Sequence, residues 1–388
     1  MLQYVKKTVV SIDYLVLFII SALAIFGIIV IGSVTNIHID PNSSLQGQQQ
    51  LSFLTGLLLF FLFAFIDYKF IARFYRVIYG VSLILLFLTL TPLAVQTQAG
   101  VARGLNLYFL TIQPSQFSKI FMIIFLASFV DRAKNKINDF PTLLRLAILL
   151  IIPIYLIFQQ PSLSASMAVL LISLTIIFLG GISYKYIFTV FSAVIPLLIL
   201  ATLDIMRGPG NYIMIDRLIG NFQIQRLEIF LSDDIHMQNE RALEALGSGQ
   251  MTGRGLNNGI INQLNRLPEA HNDFIFAVIG EEFGFIGANL VLLAIFILII
   301  KCFIIAHNAD TNVGRLIASG VGAMLFYQTF IHVGVVTNIL PNTGITLPFV
   351  SYGGSSMWTL MISLGIVMNI HINKKPESIF ADNYSDSS

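Results

Sequence analysis

Three carboxylates fall within ten residues of an otherwise apolar stretch. In LPEAHNDFIFAVIGEEFGFIG (267–287), Asp273 stands just before the run FIFAVIG, and Glu281 and Glu282 follow it. A carboxylate at the edge of an apolar medium has lost solvation, which raises its basicity. A basic carboxylate that still faces water can accept a proton from a hydroxyl nucleophile. Asp273 is therefore the candidate catalytic base. An aspartate at the start of a helix also caps it by accepting backbone N–H groups, and one side chain can do both. Glu281 and Glu282 sit about two turns deeper. On a helix continuing from Asp273, Glu281 lies about 80° around the axis and Glu282 about 180°, so Glu281 is the better placed to share a cavity with Asp273. Carboxylates so deep are costly and face a cavity or a partner. Their distance from any polar substrate favours a structural role.

Candidate anion-binding groups lie elsewhere. Gln113 opens QPSQFSK (113–119), and Arg103 and Lys119 bracket that region. Two fixed cations there can neutralise a lipid pyrophosphate, arginine with a bidentate fork; the same side chains at a membrane boundary also snorkel to headgroups. SYGGSS (351–356) supplies Ser351, Gly353, Gly354 and Ser355. Small residues, hydroxyls and bare N–H groups can cradle an anion, although a glycine-serine string is also what an ordinary turn uses. Arg217 and Arg254 are further cations in the loop before Asp273.

The elements that must position these groups are membrane helices. Hydrophobic residues make up 56% of the 388 and charged residues 11%, against about 25% charged in soluble proteins. A span needs about 20 mostly apolar residues. The hydropathy pattern predicts an all-α polytopic protein of ten spans, at 13–33, 50–67, 70–93, 116–131, 143–159, 164–181, 184–203, 273–306, 312–338 and 348–372. Long apolar runs without alternation argue against a β-barrel. The basic start followed by an apolar run to Ile31 reads as an uncleaved first span. The single cysteine, Cys302, excludes a disulfide framework. Residues 1–375 are expected to form one membrane domain, and 376–388 a disordered polar tail.

Ten spans put both termini on one side. Lys6, Lys7, Lys69, Arg73, Arg76, Arg132, Lys134, Lys136, Arg145, Lys185, Lys301, Arg315, Lys374 and Lys375 fall on that side, which the positive-inside rule makes cytoplasmic. Six arginines lie opposite, in the loop 204–272, but that loop exceeds the length of about 60 residues within which the rule counts. Inside it, IDRLIGNFQIQRLEIFL suits an interfacial amphipathic helix. NERALEALGSGQMTGRGLNNG reads as a helix ended by Gly247 and then a glycine-rich turn region. The polar anomalies around Asp273, QPSQFSK, QQPSLSAS (159–166) and LPNTGITLPFVSYGGSS (340–356) all fall on the outer side. No Walker loop, dinucleotide fingerprint or HExxH is present. No cofactor is evident and no nucleic-acid partner is expected; a divalent cation could assist, though no carboxylate cluster marks a metal site.

Taken together, ALGSGQMTGRGL, LPEAHNDFIFAVIGEEFGFIG and NILPNTGITLPFVSYGGSS resemble the SEDS family, the FtsW, RodA and SpoVE proteins of bacterial wall synthesis, over nearly all the membrane portion. The resemblance implies ten spans with cytoplasmic termini in the bacterial cytoplasmic membrane. It implies polymerisation of lipid II, an undecaprenyl-pyrophosphate-linked disaccharide peptide, at the outer face, beside a class B penicillin-binding protein. It places the family's essential aspartate at Asp273. Three positions depart from the family pattern: Gln116 where QPSE has an acid, Ser162 where QPDLGT has an aspartate, and Gly104 where a tryptophan follows the arginine. Two other functions stay open, a flippase for the lipid-linked precursor and a catalytically silent scaffold for the penicillin-binding protein. The crowding of polar features on one face favours the enzyme over the flippase, since transporters need access from both sides. Neutral Ser162 cannot supply the missing aspartate's charge.

Overall fold

The computed structural model describes residues 12–35, 45–96, 102–107, 110–160, 162–186, 237–260, 267, 269–341 and 344–374, with isolated positions 188, 189, 192, 196 and 204. The described helices are α1 (Tyr14–Thr35), α2 (Leu45–Phe65), α3 (Tyr68–Arg73), α4 (Tyr75–Leu88), α5 (Pro114–Ala133), α6 (Phe140–Phe158), α7 (Leu163–Leu179), α8 (Met237–Ser248), α9 (Ile275–His307), α10 (Asn312–Val336) and α11 (Gly354–Ile372). The chain is an all-α, multi-pass membrane bundle. Among the described residues α1, α2, α6, α9, α10 and α11 are long and apolar enough to cross a membrane, while α4 and α7 are apolar but shorter. α5 is twenty residues long but carries Lys119, Asp131 and Arg132.

Most spans fall where hydropathy places them, and three expectations need correction. The third span, expected over 70–93, is broken at Phe74 (φ −91°, ψ 18°) into α3 and α4 and ends at Leu88. A three-stranded antiparallel sheet follows it, β1 (Ala94–Gln96), β2 (Ala102–Leu107) and β3 (Leu110–Ile112), with Val95 facing Gly104 and Leu105 facing Ile112. The last span begins at Gly354 rather than 348, because 347–353 is irregular, with Phe349 at φ 64°. The helix expected to end at Gly247 runs to Ser248. Most of the seventh span (184–203), the amphipathic stretch, Arg217 and the tail lie outside the described residues.

Helix contacts follow from small residues that let backbones approach. α2 packs along α11, where a Cβ on Gly365 would fall 2.5 Å from the Phe60 carbonyl. Gly27 of α1 lies against Val350 in the same way, its Cβ position 2.6 Å from that carbonyl oxygen. Asn369, fully buried, donates to Ala64 O at 2.8 Å and accepts from Tyr68 N at 2.9 Å. One amide thereby satisfies a carbonyl at the end of α2 and a donor at the start of α3.

Candidate functional site

Asp273 sits in a tight turn, not in the helix. Glu269, in the left-handed region at φ 56°, offers its carbonyl to Asn272 N and Asp273 N, both at 3.0 Å. The cap position falls one residue beyond the expected one: α9 starts at Ile275 and its cap is Phe274, whose side chain makes no cap hydrogen bond. Asp273 lies one residue ahead of the cap and is half-buried.

The turn is pinned by the start of the last span. Ser351 Oγ donates to Asn272 O at 2.8 Å while accepting from Leu347 N at 2.8 Å. Tyr352 N donates to His271 O at 3.0 Å, and the His271 and Tyr352 rings meet edge to face at 5.6 Å. α2 then holds the other side. Gln49 Nε2 donates to Ser351 O at 3.2 Å, Gly353 N donates to Gln49 Oε1 at 3.1 Å, and Tyr352 Oη donates to Gln48 Oε1. Gln113 N donates to Ser355 Oγ at 2.9 Å, which ties in the start of α5. Gly353 stands at φ 155°, where a side chain would be strained, and a Cβ on Gly354 would lie 3.0 Å from Ser52 Oγ.

The fold thus brings the Asp273 turn, Ser351, Gly353, Gly354, Ser355 and Gln113 to one end of the bundle. The two serine hydroxyls there are engaged in holding loops together. Sequence reasoning missed Gln48, Gln49, His271 and Tyr352; the available signal was QGQQQ (46–50), an amide-rich run at the mouth of an apolar segment. Burial holds the His271 imidazole below its ordinary pKa, with the Glu269 carboxylate, 3.7 Å away, opposing the shift. It is neutral at pH 7.

The cations do not form one cluster. Arg103 lies on β2, beside the strand that leads into Gln113. Lys119 is buried rather than exposed at the boundary, and its ammonium donates to Gln116 Oε1. Gln116 thus gives Lys119 a neutral hydrogen-bond partner. A Cβ on Gly104 would stand 2.8 Å from Thr111 Cγ2, so a larger residue here requires the Thr111 side chain to move. Ser162, buried, occupies the cap position of α7 without a side-chain cap hydrogen bond.

Arg254 is separate again and explains Glu281 and Glu282. α9 is not continuous: Gly284, at φ 67° and ψ −168°, breaks it. The break frees backbone groups inside an apolar region, where they must find protein partners. The glycine-rich stretch after α8 supplies them. Arg254 N and Gly255 N donate to the Glu281 and Glu282 carbonyls, both at 2.9 Å. Phe285 N and Ile286 N donate to Gln250 O at 2.8 Å and Met251 O at 3.1 Å. Side chains on Gly249 or Gly253 would overlap the carbonyls of Gly280 or Glu282. The Glu282 carboxylate accepts a short hydrogen bond from Ser33 of α1, and Glu281 Oε2 lies against Gly259. Both acids are buried at this junction, and the angular argument that set Glu281 beside Asp273 does not apply, because Asp273 lies in a turn ahead of the helix. Among the described residues no three His, Cys, Asp or Glu side chains converge as a metal site would require.

Comparisons with known proteins agree over the whole bundle. The family of FtsW, RodA and SpoVE cell cycle proteins matches residues 13–376. Peptidoglycan glycosyltransferase MrdB of Escherichia coli K12 is 37% identical over 284 residues, covering 71% of this chain and 72% of that protein. The probable peptidoglycan glycosyltransferase FtsW of Bacillus subtilis is 31% identical over 382 residues, 94% and 92% of the two chains. Among solved structures, a chain from a study of how a peptidoglycan synthase complex coordinates polymerization and crosslinking superposes with a TM-score of 0.74 at 25% identity, covering 93% of this chain and 97% of that one. The crystal structure of rod shape determining protein RodA from Thermus thermophilus shares the fold, with a TM-score of 0.67 at 24% identity over 94% and 98% of the chains.

Proposed function

This chain belongs to the FtsW, RodA and SpoVE family of cell cycle proteins, and we propose that it is a peptidoglycan glycosyltransferase that polymerises lipid II at the outer face of the bacterial cytoplasmic membrane. The observation that carries the reading is the clamped turn presenting Asp273, at the end where the motif-bearing segments meet, in a chain 37% identical to a protein named for that activity.

The chemistry asks little beyond placement. The donor sugar is bonded through its anomeric carbon to undecaprenyl pyrophosphate, a good leaving group. The Asp273 carboxylate takes the proton of the acceptor's 4-hydroxyl as that oxygen attacks the anomeric carbon. The bond to the pyrophosphate breaks on the opposite face, so the configuration inverts and the electron pair leaves on the phosphate oxygen. Arg103, Lys119, Arg217 and Arg254 are the cations available to hold pyrophosphate oxygens, with Ser351, Gly353, Gly354, Ser355 and Gln113 shaping the surface. Lys119 is buried and donates to Gln116; in this role its ammonium would exchange that amide for a pyrophosphate oxygen. A divalent cation could share the role.

Both termini are assigned to the cytoplasm, with the 204–272 loop outside, because the basic residues gather at the end away from Asp273. A cysteine probe at position 257 should label from outside intact cells and one at 385 should not. The relative from the peptidoglycan synthase complex supports a penicillin-binding protein as partner, and we assign it to class B. Gln116, Ser162 and Gly104 favour a second reading, a scaffold without polymerase activity. Purified protein incubated with lipid II, with and without the penicillin-binding protein, separates the two. Glycan strands on a gel support the polymerase; none beside an active relative supports the scaffold.

A further inference from the structure

At the end of the bundle away from Asp273, a cavity of about 270 Å³ opens between α3, the last turn of α5 and the first turn of α10. Lys69 and Arg73 enter it from α3, Ser128, Asp131 and Arg132 from α5, and Thr311 from the cap of α10. Lys69 and Arg73, four apart on one helix, share a face. Arg132 lies 4.9 Å from the Tyr75 ring centre, which orients its guanidinium. None of these three cations has a carboxylate within ion-pair distance among the described residues. Asp131, the one acid on the wall, accepts from Asn312 Nδ2 at 3.2 Å, and the three cations outnumber it. The 25-residue α10 points its N-terminus at the same place, adding the positive end of its dipole.

Ser128 is the second, independent sign of a ligand. It is 2% exposed, and its hydroxyl has no hydrogen-bond partner among the described residues. A helical serine can donate to the carbonyl four residues back, and Ser173 and Ser363 do so at 2.6 Å. Ser128 is part of the cavity lining, and its shielded hydroxyl has no such bond, a state that costs stability. Three cations, a helix N-terminus and a waiting hydroxyl fit an anion with several acceptor oxygens. The flanking helices expose Phe70, Phe74 and Val77, which suits a ligand with an acyl chain beside its charge.

We propose that this cavity holds the phosphate of an anionic phospholipid headgroup. The assignment is independent of the polymerase reading, since it uses none of that site's residues. Purified full-length protein in detergent should be titrated with phosphatidylglycerol or phosphatidylcholine and the bound lipid counted by native mass spectrometry. Phosphatidylglycerol should be retained on the parent roughly tenfold or more tightly than on Arg73→Gln/Arg132→Gln, since each basic residue near anionic lipid contributes about 1 kcal/mol. Ser128→Ala should lose a smaller share, and Lys185→Gln, an exposed control, none. Arg73→Lys/Arg132→Lys keeps the charge and should recover most of the retention; failure to do so at parental melting temperature would rule out a charge-based site. Equal retention of the two lipids by the parent, or a glutamine pair that binds like Lys185→Gln, would overturn the proposal. Complete displacement of the lipid by millimolar inorganic phosphate would assign the cavity to soluble phosphate instead.

Discussion

The two ends of this bundle are built on different principles. At the Asp273 end the backbone is irregular: a small sheet, a turn at 269–273, an unwound 347–353 and a broken α9. Polar groups there bond across elements, Ser351 to Asn272, Gln49 to Gly353, and Ser355 to Gln113. At the other end helices stop at short turns with local caps, Asp67 accepting from Lys69 N at 2.8 Å and Thr311 from Gly314 N at 3.0 Å. Its charges are mostly exposed, apart from such contacts as Lys301 with Asp13 at 2.7 Å. The contrast separates two uses of polarity in a membrane protein. One end spends it on fixing loops that must present a reactive group within tight tolerances. The other distributes cations that set orientation.

Substitutions can break that contrast, beginning with the largest effect. Gly284→Val forces a β-branched residue into a glycine-only region costing about 1–3 kcal/mol, and drives a side chain into the Met251 and Gly253 backbone. It should abolish recovery of monodisperse protein by size-exclusion chromatography. Gly314→Ala at the other end, where a Cβ meets its neighbours at 3.2 Å, should leave a folded peak. Next, Ser351→Ala removes the acceptor for Leu347 N and the donor to Asn272 O. The protein should fold, with lipid II polymerisation lowered about tenfold to a hundredfold by misplacement of the Asp273 turn. Asp67→Ala, a cap at the opposite end, should lower stability by about 1 kcal/mol and leave the polymerisation rate unchanged.

The smallest effect concerns pH. His271 is held neutral below its ordinary pKa by burial. The unfolded chain therefore binds a proton near pH 6.5 before the folded one does, and the stability that His271 contributes is full above that pH. It falls as the pH drops toward the lowered folded value. The melting temperature of the parent should decline more steeply below pH 6.5 than that of His271→Asn.

The sequence makes the two ends unequally legible. The helices of the basic end follow from hydropathy, since an apolar run in lipid has few alternatives to helix. α1 and α10 start within one residue of their expected positions. Asp273 was legible because a carboxylate at a span boundary is chemically conspicuous. The break at Gly284 was not, because one glycine in an apolar helix costs only about 1 kcal/mol. What decides it is the 249–255 stretch docking from some thirty residues upstream, a tertiary event with no local signature. The strands at 102–107 and 110–112 did carry a signal, the alternation in RGLNLYFLTI, weak beside so much hydrophobicity. Ser351 and Ser355 looked like an anion cradle because hydroxyl type does not reveal whether its partner is a ligand or a neighbouring loop.

The central claim is that the cross-braced end exists to present Asp273 as a base. Asp273→Asn keeps the size and shape of the side chain and removes its basicity. Polymerisation of lipid II by the purified variant, measured beside the parent with the penicillin-binding protein present, tests this directly. The account predicts a folded, partner-binding protein whose rate falls by at least about a hundredfold. A variant that polymerises at the parental rate would contradict it.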